Sequence, residues 1–292
     1  LQHAILARQR SGLPVPGWMH ARSLLPARSF APQARLDVGA LLPDGRSVGL
    51  GRTGEEPLQI PEHRTFWVQP PPPSDACLET LVPELVAEGV PGLALAPDLS
   101  DAGLEQLGPL ADHLTYLDLS ACGKVTAKGL RQLKGLECLA TLRLWYCMSL
   151  GDAALSAIGA LSGLSTLDLG GCTGFGEGAL AELTPLEELT VLKLGSCPQV
   201  GDAGLGLLAG LPRLTSLDLR RCARLSDAGL AGLVGSPELT VLNLSFCSEL
   251  TIKGLAPLRE LPRLSQVYLV GCGLDPDKAQ AALAGTRCEV VA

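Results

Sequence analysis

From Val90 onward the apolar positions of this chain fall into a V-x-x-L-x-L spacing that keeps returning. Leu114, Leu139, Leu164, Leu189, Leu214, Leu239 and Leu264 open successive copies, 25 residues apart. Within each copy the L-x-L alternation predicts a short half-buried strand, and a following GL-x-x-L-x-x-L spacing predicts a helix. Ser100-Asp101, Thr126, Asp152, Glu177, Asp202, Ser226-Asp227 and Thr251 stand just before those helices. Their hydroxyls and carboxylates are expected to cap free backbone N–H groups and to favour the positive helix end. Pro185, Pro212, Pro237 and Pro262 fall where each helix should stop. Neither a strand nor a helix of this size buries its apolar face alone. Stacking coil on coil does, which predicts an α/β solenoid: a curved right-handed stack with a parallel sheet on the concave side and helices on the convex side.

The ends of the stack are also legible. "DACLETLVPELVAEG" puts Leu78, Leu81 and Leu85 on one helical face. The first coil, around Val90, reads as two residues shorter than the rest and lacks their cysteine, as a terminal coil would. "TRCEVVA" reads as a last strand that closes the stack. Ahead of the repeats, residues 1–35 read as poorly ordered. Residues 36–74 form a short β and loop segment ending in the stiff "PPPP" spacer at 70–73. There "RLDVGALLPDGRSVGL" reads as two strands around a Pro-Asp-Gly turn, and "TFWVQ" as another strand. Residues 75–292 are the solenoid, about eight repeats and the terminal strand.

Charge narrows the partner. The chain of 292 residues carries a net −7. Residues 1–75 hold eight Arg against six Asp and Glu, a net +2; the remainder is at −9. An acidic repeat body weighs against a nucleic-acid backbone as the ligand, because phosphates need clustered cations. No apolar run approaches the roughly 18 residues of a spanning helix, so no membrane role is expected. The N-terminus lacks a continuous apolar segment of the secretory kind. It is Arg-rich and acid-free before Asp37, as transit peptides are, yet Pro and Gly interrupt any amphipathic helix there. Arg outnumbers Lys 17 to 6 and Asn243 is the only Asn, a bias that suits a GC-rich genome and a bacterial source.

Cys122, Cys147, Cys172, Cys197, Cys222, Cys247 and Cys272 keep the same 25-residue period. Adjacent coils lie about 4.8 Å apart, so these residues form one inward column. A column cannot surround a zinc ion tetrahedrally, and the chain has no C-x-x-C pair. Strand spacing alone does not exclude disulfides between neighbours, but seven in a row have no natural pairing. The reading is packing: each thiol fills a small slot and offers a weak hydrogen bond. Buried free thiols suit a reducing, cytoplasmic location. Cys138 is expected in the core on a helix, and Cys77 and Cys288 are unassigned.

The motif L-x-x-L-x-L-x-x-C-x-x-[VL]-[TSG]-[DE]-x-[GA]-L resembles the cysteine-containing leucine-rich repeat, over roughly residues 76–292. The closing "CEVV" is similar to the endings of some bacterial members. The resemblance implies a horseshoe-like solenoid that binds other proteins. The family is best known from the substrate receptors of F-box ubiquitin ligases, whose helical F-box would precede the repeats.

Catalytic patterns do not hold up. "GLGRTG" at 49–54 has the spacing of a dinucleotide loop, but Pro57 and Pro61 forbid the helix such a site needs. "GFGEGA" at 174–179 aligns with "KVTAKG" and "QVGDAG" of sister coils and reads as drift within the repeat. His3, His20, His63 and His113 are scattered, and no carboxylate pair stands out. No enzymatic activity, cofactor or metal is expected.

The candidate surface is the outward side of the strands. The central L-x-L positions read Ala94, Asp118, Arg143, Asp168, Lys193, Asp218, Asn243 and Tyr268, alternating in sign from Asp118 to Asp218. Opposite charges on neighbouring strands suit a self-satisfied ladder. The two positions before each cysteine are mostly small, except for Trp145, Tyr146, Arg220, Arg221 and Phe246. Trp, Tyr and Arg dominate binding hot spots. Gly170-Gly171, beside Trp145-Tyr146, would leave room for a partner side chain. Tyr116, Arg143, Trp145, Tyr146, Asp168, Lys193, Asp218, Arg220, Arg221, Phe246 and Tyr268 are the expected partner-binding residues. Lys124, Lys128, Arg131 and Lys134, clustered on one coil, read as a solvated face. The expectation is a monomeric, non-enzymatic solenoid that binds another protein. The alternatives are a substrate-recognition subunit of an F-box-type ubiquitin ligase, or the recognition part of a larger enzyme or effector.

Overall fold

The structure, a computed structural model, describes residues 28–30, 36–41, 47–53, 58–60 and 66–292. The Pro43-Asp44-Gly45 turn, Gly54, and the histidines at 3, 20 and 63 lie outside the described residues, as do residues 1–27 and 31–35.

The chain opens with strands β1 (Arg28–Phe30), β2 (Asp37–Leu41), β3 (Ser47–Arg52), β4 (Leu58–Ile60) and β5 (Phe66–Gln69). β1 and β4 pair antiparallel in a small sheet of their own, so part of the segment read as poorly ordered is strand. β2 pairs antiparallel with both β3 and β5. Helix α1 (Ser74–Ala87) follows and buries Leu78, Leu81, Val82 and Leu85, the expected face.

Nine three-residue strands then stack in parallel: β6 (Gly92–Ala94), β7 (Tyr116–Asp118), β8 (Thr141–Arg143), β9 (Thr166–Asp168), β10 (Val191–Lys193), β11 (Ser216–Asp218), β12 (Val241–Asn243), β13 (Gln266–Tyr268) and β14 (Glu289–Val291). The register Leu117↔Leu142↔Leu167↔Leu192↔Leu217↔Leu242 repeats the sequence period without a slip. Leu93 pairs with Leu117, so the first coil is one residue short of the others rather than two. β5 pairs in parallel with β6, which makes β5, β2 and β3 one edge of a single 12-stranded sheet. β14 closes the opposite edge, as "TRCEVVA" predicts.

The convex side carries α2 (Asp101–Glu105), α3 (Ala127–Gln132), α4 (Asp152–Gly159), α5 (Asp202–Leu208), α6 (Asp227–Gly232) and α7 (Pro276–Ala282). Two coils expected to be α-helical wind instead as 3-10 helices, Glu177–Leu183 and Ile252–Glu260. Segments this short gain little from α-helical cooperativity, so coil packing decides their winding. Pro257 inside the second also removes an N–H that an α ladder would use. The leucines of every coil meet between sheet and helices as one core. Phe175 is buried in the slot that Val125, Leu150, Val200, Leu225 and Leu250 occupy in sister coils, so the 174–179 glycine pattern is an ordinary coil turn.

Asp75, Asp101, Asp152, Glu177, Asp202 and Asp227, each in the first turn of its helix, do something the sequence reading missed. Asp101 accepts from the N–H and Oγ1 of Thr126 at 2.8 and 2.7 Å. Asp202 accepts from Ser226, and Asp227 from Thr251, in the same way. Asp75 holds Ser100, and Asp152 and Glu177 hold the backbone N–H of Gly176 and Gly201. These carboxylates tie one coil to the next rather than capping their own helix. Intrahelical capping falls to Ser100, Thr126, Ser226 and Thr251, whose hydroxyls accept from the N–H two residues on, and to Asp275, which accepts from the Lys278 N–H at the start of α7 at 3.0 Å. The contact between coils accounts for the glycine of the motif's [GA] position at Gly129 and Gly229. A methyl group on Gly129 or Gly229 would lie 2.3 Å from the preceding coil's Asp oxygen. Ala154 stands where the preceding coil has Ala127 instead of an acid.

Candidate partner-binding surface

Each strand from β7 to β13 leaves the sheet through the same turn. The Cys N–H donates to the carbonyl of the second leucine of L-x-L, for example Cys147 to Leu144 at 3.1 Å and Cys172 to Leu169 at 3.1 Å. Closing it puts the residue before the cysteine in the left-handed region: Ala121, Tyr146, Gly171, Ser196, Arg221, Phe246 and Gly271 have φ between 60° and 73°. Side chains there stand out from the rim of the sheet instead of lying on its floor. Five of the seven are not glycine, and bulky residues seldom adopt this conformation.

The cysteines themselves are buried. From Cys147 to Cys272 each thiol donates to a leucine carbonyl 28 residues earlier, at 3.0–3.3 Å. Cys122 donates to Ala96 at 3.3 Å, one coil below. Burial pushes their pKa values up from 9.0, to about 11 for Cys147 and Cys247 and about 12 for Cys122 and Cys197. Neutral thiols in such a slot are poor nucleophiles. Cys138 lies in a turn after the 3-10 segment Leu133–Gly135, half-exposed, and not in a helical core as expected. The helical segment ends at Gly135, so Cys138 falls in the turn that leads into β8. Cys288 is buried and Cys77 half-buried.

The central positions of the strands form the floor. Asp118, Asp168, Asp218 and Asn243 each accept from the backbone N–H two residues on, at 2.9–3.1 Å, which fixes the strand exit. Arg143 bridges Asp118 at 3.2 Å and Asp168 at 3.9 Å, and Lys193 reaches Asp168 at 3.8 Å. The sign alternation therefore gives a real ladder over four strands. It stops there among the described residues, because Asp218 pairs with Arg220 of its own coil at 3.3 Å. Tyr116 and Asp168, both expected to face a partner, are buried. The Tyr116 hydroxyl donates to Asp118 and accepts from Arg143, so it supports the floor. Burial, ahead of the Asp118 charge, pushes its pKa up. Tyr268 is half-buried beside Gln266.

The rim is where apolar surface meets water. Trp145, Tyr146 and Met148 are 45%, 46% and 52% exposed, within four residues of one coil. The Trp145 and Tyr146 rings lie 4.4 Å apart, tilted by 55°. A methyl group on Gly171 would lie 2.5 Å from the Tyr146 ring, and one on Gly170 would lie 2.9 Å from the Trp145 indole. The glycine pair thus seats these two aromatics, and the space expected for a partner's side chain is already filled by them. Three coils on, Arg220 leans back over Gly195, whose methyl would lie 2.8 Å from the Arg220 Cγ. Arg221 stands 5.0 Å over the Phe246 ring, a cation–π distance. Phe246 and Val270 are exposed. Met148 and Val270 were not among the expected residues. Aligning the coils could have found Met148, since sister coils carry Gly, Thr, Pro, Ala or Ser there.

The Leucine Rich repeat family model matches residues 112–134 and 211–234. The solved Rad7 and Elc1 complex in yeast aligns at 18% identity and a TM-score of 0.56, over 75% of this chain and 58% of that one. The TLR13-ssRNA13 complex aligns at 20% identity and a TM-score of 0.53, over 73% and 30%. An internalin C2 from Listeria monocytogenes str. 4b F2365 aligns at 23% identity and 0.47, over 68% and 93%. The chain thus spans well under two thirds of the first two proteins. No curated protein matches it significantly. At these identities the likeness is one of fold.

Proposed function

We propose that this chain, a leucine-rich-repeat protein, is a non-enzymatic module that binds a partner protein on the concave sheet and above all on its rim. One observation carries the reading: three large apolar side chains, Trp145, Tyr146 and Met148, stand exposed together while nearly every other apolar residue of the coils is buried. Exposed apolar surface gathered in one place marks an interaction site. Its aromatics are pre-positioned by the glycines beneath them, so little side-chain entropy is lost on binding. The acidic balance of the repeats favours a protein over a nucleic acid as partner. No helix among the described residues is long and apolar enough to cross a membrane. A column of buried free thiols fits a reducing compartment such as the cytoplasm.

The partner-binding set narrows accordingly to Trp145, Tyr146, Met148, Arg220, Arg221 and Phe246. Arg143, Asp168 and Tyr116 support them from the floor. The test is affinity capture from the native organism, followed by titration of the captured partner against variants. Trp145→Ala together with Arg220→Ala should weaken binding at least tenfold and leave the thermal midpoint nearly unchanged. Unchanged affinity would remove the rim from consideration.

A further inference from the structure

Resting on the rim as a protein-binding site, we infer that its partner presents an extended acidic peptide segment, with a carboxylate within two residues of a large apolar side chain. The inference comes from how Trp145 and Arg220 lean. Their own coils are three strands apart, yet they bend toward each other. The Trp145 indole lies over Gly170 and the Arg220 side chain lies over Gly195. Those two glycines sit in the turns that follow the adjacent strands β9 and β10, where the Gly171 N–H donates to the Gly195 carbonyl at 2.8 Å. Neighbouring coils are about 4.8 Å apart, so an apolar ring and a guanidinium lie side by side on one stretch of the rim. Side chains within two positions of each other in an extended peptide lie at most about 6.8 Å apart, so an acid and an apolar residue that close together can reach both.

The sign of the partner follows from what is left unneutralised. Arg220 shares Asp218 with the strand exit and remains exposed. Arg221 has no carboxylate within ion-pair distance among the described residues, and its guanidinium is held over Phe246. A planar guanidinium on a ring face keeps its edge free for bidentate bonding to a carboxylate. The net −7 of the chain does not oppose this, since at physiological salt charges beyond about 8 Å are screened and the local pair decides.

The experiment is a random-peptide display selection on the full chain. Enriched peptides should share Asp or Glu within two positions of Phe, Trp, Leu or Ile, and should bind more weakly as salt rises. Arg220→Glu with Arg221→Glu should lower their affinity at least tenfold. Exchanging the peptide acid for Lys should recover binding to that variant only. Trp145→Ala should weaken every selected peptide. Three outcomes overturn the inference: no enrichment, enriched peptides lacking the acid, or binding indifferent to the Arg→Glu pair. If peptides lose affinity with Trp145→Ala but ignore charge reversal, the rim stands as a protein-binding site and only the acidic partner falls. Displacement of the peptides by a single-stranded oligonucleotide at lower concentration than by an acidic peptide would overturn both. Melting curves that match the wild type exclude misfolding as the cause.

Discussion

The thiol of Cys172 donates to the carbonyl oxygen of Leu144 at 3.0 Å, and that same oxygen accepts the backbone N–H of Cys147 at 3.1 Å. One lone pair closes the turn of its own coil, and the other is taken by the coil above. A buried carbonyl with a free lone pair is a mild liability, and a cysteine fits the slot because it is small, apolar and a weak donor. The 25-residue recurrence is thus a packing device, repeated wherever a coil meets the next.

Thiol ionisation should set the alkaline stability limit. Burial holds the folded thiols above the ordinary 9.0, at about 11 to 12 for Cys122, Cys147, Cys197 and Cys247 and higher still for Cys172 and Cys222. For an acid whose folded pKa is raised, the stabilisation is fully present below 9.0 and is lost as pH climbs toward the folded value. Urea midpoints, measured with reductant present, should be flat to about pH 9 and fall steeply above it. Cys197→Ala should make that fall shallower. At neutral pH a thiol reagent should label Cys77 and Cys138 first and the column only on unfolding. Prompt labelling of the column in the native state would contradict the packing described.

A side chain at Gly171 should be costly. Its φ of +73° is left-handed, and a methyl there would lie 2.5 Å from the Tyr146 ring. Left-handed backbone costs an L-residue about 1 kcal/mol, and displacing the ring adds to it. Gly171→Ala should therefore lower stability by about 1–3 kcal/mol and, by lifting Tyr146, weaken partner binding as well. Gly206, inside α5 with open space around it, is the control: Gly206→Ala should be neutral or gain about 0.5–1 kcal/mol in helix propensity. Chemical denaturation of both variants decides. Equal effects would mean the seat under Tyr146 is not tight.

The coil count, the strand positions and the inward column were legible because stacking multiplies a weak signal: Leu117 alone proves little, but its copies at Leu142, Leu167 and Leu192 share one register. The rim was half legible. Trp145 and Arg220 stood out from small residues at the same coil position, yet nothing in their types says that Gly170 and Gly195 would serve as their seats. Tyr116 misled, since its hydroxyl and outward strand position suggest a contact residue whereas the structure buries it under Arg143. Which coils wind as 3-10 was not legible either, because in segments of seven to nine residues the difference between windings is small and set by neighbours.

The tie between coils should be strongest where a carboxylate takes two hydrogens at once. Asp202 accepts from the Ser226 N–H at 2.8 Å and the Ser226 Oγ at 2.6 Å. Asp202→Ala removes both acceptors and leaves an N–H at the start of α6 to compete for water. Hydrogen bonds to a charged acceptor contribute about 1.5–3 kcal/mol, reduced here by partial exposure. The loss should be about 1–2 kcal/mol. In a stack whose stability is a sum over nearest-neighbour interfaces, it should appear as a less cooperative transition as well as a lower midpoint. The reciprocal change is available in this chain. Ala127 occupies the acid position of its coil, and the next coil has Ala154 in place of the glycine that elsewhere admits the carboxylate. Asp152 keeps its bond to the Gly176 N–H although Ala179 follows in that coil, so an acid at this position does not strictly require the glycine. Ala127→Asp should therefore gain a bond to the Gly151 N–H and raise the urea midpoint, and Ala127→Asp with Ala154→Gly should not exceed it, because glycine costs the helix about 1 kcal/mol. A midpoint that falls with Ala127→Asp alone would show that the carboxylate cannot be seated there without the glycine.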